Sequence, residues 1–97
     1  MADLYRAEFT KAAAKQIRKL DKVAQQRILK SVHLLTTKPR PPRAKALVGH
    51  PGFLRIRVGD YRIIYSLEDE RLIIAIAKIG HRSNIYDSLS ALDNTAG

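Results

Sequence analysis

The sequence predicts an α+β domain with two helices on one face of a small, mainly antiparallel sheet. Two periodicities and the chain's size predict it. Ala24, Ile28, Val32 and Leu35 recur at the spacing of one helix face. Phe53-Leu54-Arg55-Ile56-Arg57-Val58 alternates strictly, the spacing of a half-buried strand. At 97 residues the chain has the size of one domain, 1–97, with a single modest core.

The elements follow in order. Residues 4–9, Leu-Tyr-Arg-Ala-Glu-Phe, read as a first strand because leucine and the aromatics favour extended backbone. Thr10 can cap a helix running to about Leu20, and Asp21 a second helix running to about Thr37. The short link between them predicts an antiparallel hairpin. Lys38-Pro39-Arg40-Pro41-Pro42 cannot continue a helix, since proline lacks the donor and clashes with the preceding turn. Three strands follow: residues 53–58, a Gly59-Asp60 turn, residues 61–67, a turn over 68–71, and residues 72–79, with Gly80 as the stop. A short C-terminal helix is expected within 83–92, and 93–97 should fray. Leu54, Ile56 and Val58 are expected to face the helices, which puts Arg55 and Arg57 on the opposite, uncovered face. Tyr61, Ile63, Tyr65 and Leu67 share a face and are expected in the core.

Composition narrows the function. No cysteine is present, so disulfides and thiolate chemistry are excluded. The longest apolar run, Leu72 to Ala77, is far too short to span a bilayer, and the N-terminus lacks the pattern of a secretory signal. The expectation is a cytoplasmic protein with no membrane role. No metal-ligand spacing occurs, Glu68-Asp69-Glu70 reads as a solvated turn, and no cofactor is implied. The formal charge is +9; residues 1–49 carry 12 Lys+Arg against 3 Asp+Glu, and residues 50–97 carry 6 of each. Such a surplus concentrates polyanions around the protein.

Four features converge on the second half: Arg55-x-Arg57; Gly59-Asp60-Tyr61-Arg62-Ile63-Ile64-Tyr65; Gly80-His81-Arg82 where the last strand ends; and Ile85-Tyr86 just after. Strand ends and the loops beyond them are where scaffolds present functional groups. Two like charges two residues apart on a strand repel, and keeping both suggests an anion between them. Taken with Leu47-Val48-Gly49 and the order of elements, these features resemble the RelE/ParE superfamily of bacterial toxins, and the RelE branch most closely.

The resemblance implies a RelE-like fold and the toxin of a type II toxin–antitoxin system. RelE-like toxins are ribosome-dependent ribonucleases that cut messenger RNA in the decoding site, inhibiting translation, without a metal. It also implies site residues. Arg55 and Arg57 would face the scissile phosphate, Arg62 would contact it, Arg82 would act as acid or phosphate clamp, and Tyr86 would stack on a splayed base. Arg43 and Lys45 join Arg55, Arg57 and Tyr86 as candidate RNA-binding residues. The implied partners are an acidic, RelB-like antitoxin and the ribosome with its message, with no small-molecule substrate. Residues 83–97 are the segment expected to move when the antitoxin binds.

The chemistry agrees in type. In-line attack of a 2′-oxygen needs positioning, stabilisation of the charged phosphorane and proton transfer, and guanidiniums suit the second need. Proton transfer is where this sequence departs from many relatives, which carry lysines where Arg55 and Arg57 stand. Arginine is a poor base. The candidates are His81, then Lys45, then His50; His33, on the second helix, reads as surface. Two alternatives belong beside the nuclease: a toxin of this fold that poisons a protein target such as DNA gyrase, and an RNA- or ribosome-binding module without catalysis. Tyr86 as a packing residue and Arg82 as an ion-pair partner of Asp60 or Asp87 are the plainer readings of those side chains.

Overall fold

The computed structural model describes residues 4–86. Its elements are β1 (Arg6–Phe9), α1 (Lys11–Arg18), α2 (Lys22–Thr37), β2 (Lys45–Ala46), β3 (Phe53–Val58), β4 (Tyr61–Glu68), a single 3-10 turn (Asp69–Arg71) and β5 (Ile73–His81). The five strands form one sheet in the order β1-β5-β4-β3-β2. β2 through β5 pair antiparallel, while β1 lies parallel to β5 with Arg6 opposite Ile73 and Phe9 opposite Ile76. The first strand and first helix are shorter than expected, the last strand runs past Gly80 to His81, and the two-residue β2 is an addition. Residues 83–86 form turns; the rest of the expected C-terminal helix, 87–92, and the tail 93–97 lie outside the described residues.

Both helices start where the sequence placed them. The Thr10 hydroxyl accepts the Ala13 N–H at 3.1 Å, and Asp21 Oδ1 accepts the Ala24 N–H at 2.8 Å. Ala13, Ile28, Val32 and Leu35 then bury against Ile56, Val58, Ile63, Tyr65, Ile74, Ile76 and Ile79 of the sheet. Tyr65 is fully buried and donates its hydroxyl to the Pro39 carbonyl at 2.8 Å. Burial pushes its phenol up to about 12.

α1 also repairs an irregularity. The β4–β5 register shifts between Ile64 and Tyr65, so Ile64 faces Lys78 while Tyr65 faces Ile76. Thr10 donates to the Ala77 carbonyl at 2.9 Å, and Gln16 Oε1 accepts the Ile79 N–H at 2.7 Å. Two helix side chains thus satisfy backbone groups near the break.

The opposite face is partly covered, where the sequence suggested it was bare. Leu47, Phe53, Ile64, Ala77 and Ile85 form a second buried cluster there. Ile85 reaches it because the chain folds back over Gly80: a Cβ on Gly80 would lie 3.1 Å from Ile85 Cδ1 and 3.6 Å from Ile85 Cα. This return holds Arg82 and Tyr86 beside the sheet.

Candidate nucleic-acid interface

The register of three strands builds the site. Lys45 lies opposite Arg55, and Arg57 opposite Arg62. Arg55 in turn lies opposite Ile64, which belongs to the second apolar cluster. Lys45, Arg55, Arg57 and Arg62 therefore stand on the face away from the helices. Directly opposed side chains sit about 5 Å apart at Cβ, and like charges there are unfavourable. Two such pairs, one strand step apart, make a block of four cations that folding alone disfavours.

Arg62 anchors the block. The residue is 9% exposed, and Nη1 donates to the Gly59 carbonyl at 3.1 Å and the Tyr61 carbonyl at 2.9 Å. Both acceptors belong to the β3–β4 turn, where Gly59 takes φ +59°, as a two-residue hairpin with glycine in first place requires. Nε and Nη2 of Arg62 have no hydrogen-bond partner among the described residues. The turn thus fixes one edge of the guanidinium and leaves the other edge for a ligand. Arg57 is exposed and Arg55 half-buried. Arg43 braces the block's edge, donating from Nη1 to the Arg57 carbonyl at 3.1 Å.

Arg82 closes the same end of the sheet. Its backbone N–H donates to the Asp60 carbonyl at 2.7 Å, and its exposed Nε lies 3.7 Å from Asp60 Oδ1. That separation is too long for a hydrogen bond, and the guanidinium is held only loosely. Tyr86 is 42% exposed and borders a groove of about 360 Å³ with Ala46, Leu47, Val48 and Arg55. The phenol ring and the Arg55 guanidinium thus border one opening of the size small ligands occupy.

The histidines fall elsewhere. His81 pairs with Tyr61, whose ring packs against the helix-side core. The His81 imidazole meets that ring edge-on at 5.8 Å, and its Nδ1 accepts the Ser83 N–H at 3.1 Å. It orders the turn and lies across the sheet from the cation block. His50 sits in the turn between β2 and β3, and His33 is exposed on α2. Lys78, which the sequence reading passed over, stands opposite Ile64 on the cation-bearing face. Among the described residues no group of three or more His, Cys, Asp or Glu side chains could hold a metal. None of the described helices is long and apolar enough to cross a membrane.

The family model for the ParE toxin of the type II toxin–antitoxin system parDE matches residues 7–86. The chain belongs to the RelE/ParE superfamily of type II toxins. It is 33% identical over 89 residues to an Escherichia coli protein described as a RelE-like toxin, covering 89% of this chain and 94% of that one. Among solved structures it resembles the RelE–RelB complex of Pyrococcus horikoshii, with 30% identity, a TM-score of 0.72 and coverage of 84% of this chain and 98% of that chain. The RelBE2 toxin–antitoxin complex of Mycobacterium tuberculosis is also similar, with 26% identity, a TM-score of 0.73 and coverage of 81% and 99%. The matched span of this toxin runs from β1 to Tyr86 and takes in every element that supports the cation block.

Proposed function

We propose that this toxin is a ribosome-dependent endoribonuclease that cuts messenger RNA by attack of a ribose 2′-oxygen on the adjacent phosphorus. The observation that carries the reading is the pairing of Lys45 with Arg55 and of Arg57 with Arg62 on one face. Opposed cations cost stability in the free protein and become favourable around a phosphate, most of all around a phosphorane that gains charge as the new bond forms. In the step, the 2′-O–P bond forms and the P–O5′ bond breaks, the departing 5′-oxygen taking a proton from water, to give a 2′,3′-cyclic phosphate and a 5′-hydroxyl. Arg55, Arg57 and the free edge of Arg62 hold the non-bridging oxygens, and Arg82 clamps the phosphate from the turn. Tyr86 stacks a neighbouring base in its groove. The proton of the 2′-hydroxyl needs an acceptor; of the candidates considered, Lys45 is the one on the cation face, and an amine exchanges protons where a guanidinium does not. The ribosome supplies positioning, worth up to roughly 7–11 kcal/mol when a reaction becomes effectively intramolecular. An acidic antitoxin of the RelB type neutralises the toxin by covering this face.

The test is cell-free translation with the purified protein and mapping of message 5′-ends. Cuts within ribosome-occupied codons, absent with Arg62→Ala, support the reading. Arrested translation on intact message overturns it in favour of RNA or ribosome binding without chemistry. The match to the ParE family model favours a second reading, a toxin that poisons a protein target such as DNA gyrase. Unaffected translation, with growth arrest insensitive to Arg62→Ala and Tyr86→Ala, is the outcome expected of it.

A further inference from the structure

An acid stands beside the arginine that closes the cation face. Asp60 fills the second place of the β3–β4 turn, and its carbonyl accepts the Arg82 N–H at 2.7 Å. That bond keeps the two residues adjacent whatever their side chains do. The carboxylate nonetheless stops 3.7 Å from Arg82 Nε, and both side chains remain largely in solvent. A carboxylate beside a guanidinium repels any second anion that approaches it.

The same turn carries a second guanidinium on its helix side. Arg27 reaches from α2 to Gly59, where a Cβ would lie 3.7 Å from Arg27 Nη1. Arg27 and Asp60 both line a cavity of about 170 Å³ between the start of α2 and the turn. Asp21, the other acid on this cavity, is engaged through Oδ1 as the cap of α2. The Arg27 side chain takes part in no ion pair among the described residues. Asp60 is thus flanked by two arginines, one loosely paired with it and one without a partner.

Exposed ion pairs contribute little, so moving the carboxylate from one arginine to the other costs little. A phosphate arriving at Arg82 decides the direction. It pushes the carboxylate away, and Arg27 is the unpaired cation bordering the same turn.

We propose that Asp60 is a positioning residue that acts through Arg82, holding this guanidinium while the cation face is empty and passing to Arg27 when a phosphate takes its place. The proposal rests on the reading of Arg82 as a phosphate clamp. The exchange selects among anions. A single small anion must displace Asp60 unaided, whereas an RNA strand is held at the same time by Arg55, Arg57 and Arg62 and displaces it with their help. A polyanionic strand is therefore favoured over free phosphate.

The test is fluorescence anisotropy of a labelled single-stranded RNA with 2′-O-methyl riboses, which binds but cannot be cut, titrated with the full chain at low KCl. Asp60→Asn should bind it about two- to fivefold more tightly than the parent. Glu70→Gln removes an equal charge in the turn before β5, at the far end of the strands, and measures the effect of net charge alone; it should do less. With Arg82→Gln in place, the gain from Asp60→Asn should fall to that baseline. Arg27→Gln should weaken binding by about twofold, and should have no effect in the Asp60→Asn background. Inorganic phosphate should compete with the RNA at lower concentration in Asp60→Asn than in the parent, a readout that a purely structural role would not move. Unfolding midpoints should stay close to the parent's, because Asp60 is exposed and asparagine suits the same turn. Tightening no greater than that of Glu70→Gln, or tightening that survives Arg82→Gln, overturns the proposal. If Arg82→Gln weakens binding while Asp60→Asn changes nothing, this proposal alone falls. If Arg82→Gln leaves binding unchanged, the clamp reading falls and takes this proposal with it.

Discussion

At the scale of single residues, what separates Arg62 from its neighbours is its anchoring. Arg55 and Arg57 must be gathered by a ligand, whereas Arg62 is already held by two turn carbonyls at 2.9 and 3.1 Å. A guanidinium fixed before the reaction needs no reorganisation when charge develops, and that is the property by which electrostatic groups stabilise transition states. Arg62→Ala should therefore lower cleavage by roughly 10²–10³, about 3–4 kcal/mol of barrier. Arg62→Lys should recover little of it, because one ammonium cannot hold both carbonyls and still present a planar edge to phosphate. Single-turnover cleavage of ribosome-bound message measures both; near-complete rescue by lysine would show that charge alone matters there. Tyr86 is different in kind. Its ring borders the groove beside Arg55 and is 42% exposed, so it packs incompletely in the free protein. Tyr86→Phe keeps a stacking face and should retain activity, while Tyr86→Ala should weaken RNA engagement by about 1–3 kcal/mol. Equal losses for the two variants would assign the role to the hydroxyl instead.

At the scale of elements, the return of the chain after β5 connects packing to the site. Gly80 stands opposite Arg62, and the missing Cβ is the space into which Ile85 packs. Ile85 is completely buried, so a methyl on Gly80 cannot be absorbed by a side chain swinging into solvent. Gly80→Ala should destabilise the fold by about 1–3 kcal/mol through overpacking. It should also lower activity more than stability accounts for, because the displaced turn carries Arg82 and Tyr86. Urea unfolding and cleavage measured on the same preparation check both, and Gly80→Ala/Ile85→Val should recover part of each. Recovery of stability without activity would mean that the turn does not place those side chains. These elements also show where sequence is informative. Helix caps at Thr10 and Asp21 and the alternation of 53–58 are local chemistry, and each was legible. The parallel pairing of β1 with β5 was not, because a four-residue strand carries no record of its partner. His81 was misplaced for a more instructive reason. Ending the strand at Gly80 made His81 and Arg82 read as loop neighbours of one site. With the strand running through His81, alternation sends the imidazole to the Tyr61 side and leaves Gly80 facing Arg62. The block of four cations needed the register as well: Arg55-x-Arg57 showed one row, Lys45 and Arg62 were separate candidates, and only strand pairing put them opposite Arg55 and Arg57.

At the scale of the whole molecule, groups far from the cation block set how the fold responds to pH. Asp69, in the turn before β5, accepts Arg40 through both oxygens, at 3.1 and 2.7 Å, and the Tyr5 hydroxyl at 2.6 Å. The Glu68–Glu70 stretch is thus more than a solvated turn: it ties the proline-rich loop and the chain before β1 to the β4–β5 connection. The Arg40 hydrogen bonds, and then that from Tyr5, hold the Asp69 carboxyl down to about 2. A depressed carboxylate adds stability that is complete above its unfolded value near 4 and is lost as pH falls toward 2. Tyr65 acts at the opposite end. Its burial raises the phenol to about 12, so its contribution is complete below pH 10 and disappears as pH rises toward 12. Tyr5 shifts upward as well, through its hydrogen bond to Asp69, and adds to the same alkaline limb. The melting temperature should accordingly be level between about pH 4.5 and 9.5 and fall on both sides. Asp69→Asn should shrink the acid limb. Tyr65→Phe should shrink the alkaline limb and also lower stability at neutral pH by about 1 kcal/mol, because the Pro39 carbonyl loses its donor. Circular dichroism melts from pH 2 to 12 on the parent and both variants separate the two effects. An acid limb of the same depth in Asp69→Asn would mean that other carboxylates govern acid unfolding, and that the Arg40 clasp contributes nothing to the stability of the whole.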